Sequence, residues 1–285
     1  MLRIGWFATG RGQTSPKLLS AALEAIRDGL DAEIAFVFSN QERGDSENGD
    51  RFFKLVRDAG IPLITFSDVR FRRKVGGAIA RKGAPLPAWR RDYDADVAGL
   101  LSPYDFDIGV MAGYLLITTK ALHERWPILN LHPALPDGPI GLWQDVIWRL
   151  IEARADESGV LMFLSTADLD RGPPITFCRY SLHDYELDYL WAEQGSRPLP
   201  ELQAEGEANP LFAAIRQRGV ARELPLVVET LRALATRRVQ IERGSTGFGV
   251  VDASGAPLTA LDLTPEVEAA VSESSSGQEA PDNPA

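Results

Sequence analysis

The stretch LRIGWFATGRGQTSPKLLSAALEAIRDG, residues 2–29, decides the architecture. Its opening, LRIGWFA (2–8), is an apolar run of strand length, and GRGQTS follows as a turn. PKLLSAALEAIRDG then spaces its Leu, Ala and Ile residues as one face of a helix. Ser15 is the expected N-cap, with Pro16 at the first helical position. A buried strand, a glycine turn and an amphipathic helix together make the first half of a βαβ unit.

The alternation continues outward from there. AEIAFVFSN (32–40) reads as a strand, RFFKLVRDAG (51–60) as a helix ended by Gly60, and PLITFS (62–67) as a strand. YDADVAGLLSPY (93–104) is a helix, FDIGVMAGY (106–114) a strand, KALHERW (120–126) a short helix and ILNLH (128–132) a strand. WQDVIWRLIEARAD (143–156) is an amphipathic helix with Val146, Ile147, Leu150 and Ile151 on one face. GVLMFLS (159–165) and ITFCRYSL (175–182) are strands joined by TADLDRGPP. ELPLVVETLRALATRR (223–238) is a helix, and VQIERG, FGVVDASG and PLTALDLT are short strands. The pattern predicts an α/β fold: a doubly wound, mostly parallel, Rossmann-like sheet with a C-terminal helix and short strands. Ligands of such a sheet bind outside the carboxyl ends of its strands.

One domain is expected over 1–270, interrupted by a polar loop at about 186–215 and followed by a disordered acidic tail, 271–285. No run approaches the roughly 18 apolar residues that span a bilayer, so no membrane partner is expected. A single cysteine, Cys178, excludes an internal disulfide, and the N-terminus lacks the regions of a signal peptide, so the expected location is cytoplasmic. The net charge of −10 excludes a general nucleic-acid binder, which needs a basic face. Arg70, Arg72, Arg73, Lys74, Arg81, Lys82, Arg90 and Arg91 nevertheless crowd one region. They read as a solvated surface segment or as a local anion patch or oligomer contact, which leaves a homodimer open.

Three motifs carry chemistry. TGRGQTS (9–15) joins a strand to a helix, and the free N–H groups of a helix start suit an anion. It lacks the Gly-Lys-Ser/Thr of a Walker loop. It also lacks the third glycine of a dinucleotide fingerprint, where Ser15 stands, and the second strand ends in Ser39-Asn40 rather than an acid. A plain tight turn is the other reading. In Asn130-Leu131-His132-Pro133 the Asn and His point to one face of a strand that Pro133 ends. Two side chains capping a strand terminus through hydrogen bonds would look the same. Asp168-Leu169-Asp170-Arg171-Gly172-Pro173 is turn chemistry, of interest where Asp170 returns to His132.

In order, TGRGQTS, FSN (38–40), RDYDADVAGLL with FDIGVMAGYLLI, ILNLHPALP and ADLDRGPPI resemble the folate-dependent formyltransferases, most closely their phosphoribosylglycinamide branch. The resemblance runs from Leu2 to Ile175 and again from Leu224 to Val267. It implies a catalytic Asn130, His132 and Asp170, and transfer of a formyl group from 10-formyltetrahydrofolate to a primary amine, first of all phosphoribosylglycinamide. That would place the chain in purine biosynthesis and one-carbon metabolism. Gly10, Arg11, Gly12, Gln13 and Thr14 would cradle the acceptor phosphate. Tyr114, Leu115, Leu116, Ile117, Gly141, Leu142 and Asp168 would hold the folate. The implied partners are a small-molecule amine and folate, with no metal.

Departures from the family pattern fall on the acceptor side. Arg11, Gln13 and Thr14 alter the glycine turn, Arg171 replaces a small residue, and Phe163 occupies a polar position. Glu223 stands either for the glutamate that usually faces the acceptor phosphate or for a helix cap. Another amine, such as an amino sugar nucleotide, a 10-formyltetrahydrofolate hydrolase and a non-catalytic relative are the competing readings. A nicotinamide dehydrogenase is disfavoured by the missing acid after the second strand.

Overall fold

The computed structural model describes residues 1–81, 84–245 and 247–276. Its elements run β1 (Leu2–Phe7), α1 (Thr14–Arg27), β2 (Ala32–Ser39), α2 (Glu47–Asp58), β3 (Leu63–Thr65), α3 (Asp68–Lys74), α4 (Trp89–Leu101), β4 (Ile108–Met111), α5 (Lys120–His123) and β5 (Ile128–His132). There follow α6 (Trp143–Ala153), β6 (Glu157–Leu164), β7 (Pro174–Ser181), α7 (Tyr185–Gln194), α8 (Leu199–Ala204), α9 (Pro210–Ala235), β8 (Val239–Gly244), β9 (Gly247–Asp252), β10 (Leu261–Asp262) and α10 (Thr264–Ser276). The single domain expected over 1–270 divides into two compact units, with boundaries inside β5, β6 and α9.

The first unit comprises Met1–Asn130, Phe163–Pro173 and Leu231–Leu258. Its strands lie in the order β5-β4-β1-β2-β3 and every pairing is parallel. The chain winds from β1 through β2 to β3 on one side and returns to the other side of β1 with β4, so the order reverses at β1. Apolar runs on β1 and β2 are buried because helices cover a parallel sheet on both faces. Phe7, Phe36 and Phe38 meet Tyr93, Val97 and Leu101 of α4 in one core. Phe36 packs edge-on against Phe106 at 5.0 Å and 87°. Burying each such ring contributes about 1.5–3 kcal/mol.

The second unit holds Leu131–Met162, Pro174–Thr230 and the described residues from Thr259 onward. Its strands lie in the order β10-β7-β6, with β10 parallel to β7. Val146, Ile147, Leu150 and Ile151 of α6 are all buried, the face read from the sequence.

Several expectations need correction. Ser15 is not the N-cap: α1 starts at Thr14 and Ser15 is buried in its first turn. The expected loop at 186–215 is largely helical. Asp184 caps α7 by accepting the Leu187 N–H at 2.8 Å, α8 follows, and α9 begins at Pro210 rather than 223. Asn209, 0% exposed, accepts the Phe212 N–H at 3.0 Å, so Asn209-Pro210 is a cap and first-turn pair that starts the longer helix. The disorder expected from 271 does not apply to 271–276, which continue α10. That helix is anchored by the fully buried Leu263 and Val267, and its serines bond back to carbonyls, Ser272 to Glu268 at 2.8 Å. The remainder of the expected tail, 277–285, lies outside the described residues.

The helix expected over 120–126 shrinks to Lys120–His123. Within the basic stretch, Lys82 lies outside the described residues, Arg70 pairs with Glu42 and Asp45 at 2.7 and 2.8 Å, and Arg90 is 2% exposed. Arg90 therefore belongs to neither a solvated segment nor a surface patch.

Candidate active site

The reversal at β1 puts the carboxyl ends of β1 and β4 side by side, where an open sheet leaves a crevice. Thr9, 2% exposed, organises this edge. Its hydroxyl donates to Asn40 Oδ1 at 2.8 Å and accepts the Leu115 N–H at 3.0 Å. Asn40 in turn donates to Asp68 at 3.0 Å, and Ser39 Oγ donates to the Thr9 carbonyl at 3.4 Å. The position where a dinucleotide site holds a carboxylate is thus an amide committed to structural bonds. That agrees with the sequence argument against a dehydrogenase.

The turn Gly10–Thr14 leaves this edge. Gly10 has φ +76°, and a Cβ there would stand 2.8 Å from the Phe52 ring, so only glycine fits. Arg11, Gly12, Gln13 and Thr14 are exposed, and α1 begins with neither an acidic residue nor a side-chain cap in its first turn. Its first N–H groups therefore keep the positive end of the helix dipole uncompensated. With the Gln41 amide oxygen facing Arg11, the guanidinium Nη2 donates to it at 2.8 Å, which holds this cation beside the turn.

Asn130 and His132 occupy the end of β5, two residues apart and so on one face. Asn130 pairs in register with Met111 of β4. His132 is 5% exposed, and its Nε2 donates to the Pro139 carbonyl at 2.9 Å. Arg149 Nη1 donates to the next carbonyl, Ile140, at 2.9 Å, so the proline-rich loop is fastened twice. Gly141 has φ +111°, and Leu142 after it is 58% exposed at the start of α6.

Asp170 lies in the first unit, as Asn130 does, in a turn whose base is closed by the Leu164 N–H on the Pro173 carbonyl at 2.9 Å. The Ser165 N–H donates to the Ile128 carbonyl at 2.7 Å, tying that base to the first residue of β5. Asp170 has φ +54°, a strained left-handed conformation that Asp tolerates better than most residues. A Cβ on Gly172 would overlap the Leu164 carbonyl, so the turn requires glycine there. Asp168 is exposed, its N–H on Thr166 Oγ1 at 3.3 Å.

The expected folate segment splits by residue. Tyr114 is 7% exposed and packs against Phe7 and Phe38, so its ring belongs to the core. Burial pushes its hydroxyl pKa well above the usual range. Leu115 and Ile117 are 71% and 39% exposed, while Leu116 packs partly against the core. Glu223 sits inside α9 rather than at its start, 6% exposed and 2.5 Å from Arg216, whose guanidinium lies 4.6 Å over the Trp143 ring. It is an ion-paired glutamate and not a helix cap.

Sequence reasoning missed a buried polar set behind this edge: Arg90, Asp94, Thr118 and His123. Burial raises the Asp94 pKa and lowers that of His123, each toward the neutral form. The Arg-x-x-x-Asp spacing on α4 was the available signal. Among the described residues no group of His, Cys, Asp and Glu could hold a metal ion, and no helix is long and apolar enough to cross a membrane.

A doubly wound sheet with a glycine turn at its point of reversal and an Asn-x-His pair ending β5 is the arrangement in which open α/β proteins bind their ligands. A family model described as formyl transferase matches residues 2–182, most of the chain, and the chain belongs to that family of enzymes. The phosphoribosylglycinamide formyltransferase of Saccharomyces cerevisiae is 29% identical over 184 residues, covering 61% of this chain and 80% of that protein. A phosphoribosylglycinamide formyltransferase structure from Coxiella burnetii matches with a TM-score of 0.62 and 23% identity, over 92% of this chain and 98% of that one. A formyltetrahydrofolate deformylase structure from Burkholderia mallei matches with a TM-score of 0.54 and 16% identity, over 84% and 66%. At these identities the structural likenesses show the fold alone.

Proposed function

We propose that this formyltransferase moves the formyl group of 10-formyltetrahydrofolate to the amine of phosphoribosylglycinamide. The observation that carries the reading is the Asn130-Leu131-His132 pair at the carboxyl end of β5, inside the segment that the family model matches. The acceptor nitrogen attacks the formyl carbon, the carbonyl oxygen takes the negative charge, and the bond to folate N10 breaks as that charge returns. The Asn130 amide and a protonated His132 donate hydrogen bonds to the oxyanion. Asp170 supports the imidazolium and takes up the proton that the amine loses, directly or through one water. That proton passes on to N10 as it leaves, so the products are the formamide and tetrahydrofolate.

The turn Gly10–Thr14, with its uncompensated helix start and neighbouring Arg11, suits the acceptor phosphate. Leu115, Ile117 and Leu142 are large apolar side chains left exposed on the segments assigned to folate. Tyr114 contributes from behind, as a core residue. A different primary amine, such as that of an amino sugar nucleotide, is the second reading, favoured by Arg11 and Gln13 in the turn and by the helices α7 and α8.

The test is tetrahydrofolate release from 10-formyltetrahydrofolate with and without phosphoribosylglycinamide. Release that needs this amine supports the proposal. Release without any amine makes the protein a hydrolase, and release that needs only another amine shifts the acceptor.

A further inference from the structure

The residues 117–119, which follow the exposed Leu115, are gripped from two sides by buried polar groups. From α4, Arg90 and Asp94 are 2% and 0% exposed. Arg90 Nη2 donates to the Ile117 carbonyl at 2.9 Å, and Asp94 Oδ2 accepts the Thr119 N–H at 2.6 Å. The two charges lie 3.4 Å apart, one helical turn from each other. On the other side Thr118 Oγ1 stands 2.8 Å from Ser165 Oγ. Ser165 is the residue whose N–H fastens the base of the Asp170 turn to β5.

Burying an arginine and an aspartate is expensive, and an apolar pair of similar volume often serves stability as well or better. Packing α4 onto the sheet gives no reason for charges at these two positions. Charges can, however, direct the Ile117 carbonyl and the Thr119 N–H of a strap that lies between β4 and α5. Arg90 is also held by cation–π contacts, its guanidinium carbon 5.4 and 5.8 Å from the ring centroids of Trp89 and Tyr93.

We infer that Arg90 and Asp94 are positioning residues of this enzyme. Through 117–119 they set the exposed Leu115 and Ile117, and through the Thr118–Ser165 contact they set the turn that carries Asp170. One buried pair thereby fixes the assigned folate wall and the assigned catalytic turn together. This rests on the formyl-transfer reading for what the two segments do.

Two sets of variants test it. Arg90→Met combined with Asp94→Leu removes both charges at similar volume, and Thr118→Val removes one hydroxyl at constant shape while Thr118→Ser keeps it. The double variant is expected to raise KM for 10-formyltetrahydrofolate about tenfold with a smaller change in kcat. Thr118→Val is expected to lower kcat about tenfold with KM little changed, and Thr118→Ser to retain the wild-type rate. Wild-type constants in the double variant, or Thr118→Ser no better than Thr118→Val, overturn the inference. Thr118→Val exchanges only the hydroxyl for a methyl and Thr118→Ser loses only the methyl, so they decide even where the double variant does not fold.

Hydrogen exchange reads the strap without substrate. Exchange should quicken over 114–119 in the double variant and over 166–172 in Thr118→Val, and unchanged exchange in both sinks the inference. A wild-type protein that releases no tetrahydrofolate removes the formyl-transfer reading instead, and the exchange measurements then decide the strap alone.

Discussion

His132 Nε2 donates to the carbonyl of Pro139 across 2.9 Å. A carbonyl has no proton to give, so Nε2 carries the hydrogen and the ring becomes cationic by gaining a proton at Nδ1. The proline-rich loop therefore sets the tautomer of the ring as well as its direction.

If that ring serves the oxyanion, His132→Ala should lower kcat by about 10²–10⁴ in the tetrahydrofolate-release assay. Asn130→Ala should fall in the same range while leaving the thermal midpoint close to wild type. Asp170→Asn keeps shape and loses charge, so its loss should appear in kcat with KM little changed. A His132→Ala enzyme with the wild-type rate ends the assignment.

Asn209 holds the start of α9 while buried, and its Nδ2 also donates to Glu205 at 2.8 Å. Asn209→Ala removes a cap and leaves a buried N–H without its acceptor, at a cost of about 1–2 kcal/mol. Asn209→Ser, which keeps a capping oxygen without setting a second carboxylate against Glu205, should recover part of the thermal midpoint in a denaturation scan.

His183 gives a pH signature. Its Nδ1 lies 2.7 Å from Asp188 and its Nε2 3.2 Å from Asp156, and the bond to Asp188 raises its pKa above the ordinary 6.5. A raised folded-state pKa stabilises fully below about 6.5, and the contribution is lost as pH rises through the raised value. The midpoint difference between wild type and Asp188→Asn should therefore be largest at the acidic end and vanish at alkaline pH. A difference that grows with pH would contradict the pairing.

Cys178 is 0% exposed, and burial pushes its thiol up to about 12. Only the thiolate reacts quickly, so a thiol reagent at pH 8 should label it no faster than the protein unfolds. Labelling that leads the unfolding transition would show that β7 opens locally.

The fold was legible where local chemistry and tertiary demand agree. ILNLH is apolar enough for a sheet interior, and Pro133 has no N–H to continue the ladder, so β5 is read correctly at both ends. Ser39-Asn40 and Gly10 also stand where the sequence puts them, at strand ends on one edge. Composition fails at 186–215 because polar residues dominate there, although Asp184 and Asn209-Pro210 are helix starts. It fails for Arg90 as well: a run of cations reads as surface, and nothing in the run says that one guanidinium turns inward to Asp94. Tyr114 shows the reverse problem, since a resemblance assigns the whole stretch 114–117 to one task while alternate side chains face opposite ways.

The central place of β1 bears on how the chain comes to be made. Leu2–Phe7 is synthesised before either of its partner strands, yet Ile4 takes its neighbours from Ile34 and Ile108. The strand must stay unpaired on its second side until β4 has been synthesised, with Trp6 and Phe7 waiting for their cover. Translation that stalls before Ile108 would leave this apolar segment open to chaperones, so the nascent chain is most exposed to aggregation in the interval between the synthesis of β1 and that of β4.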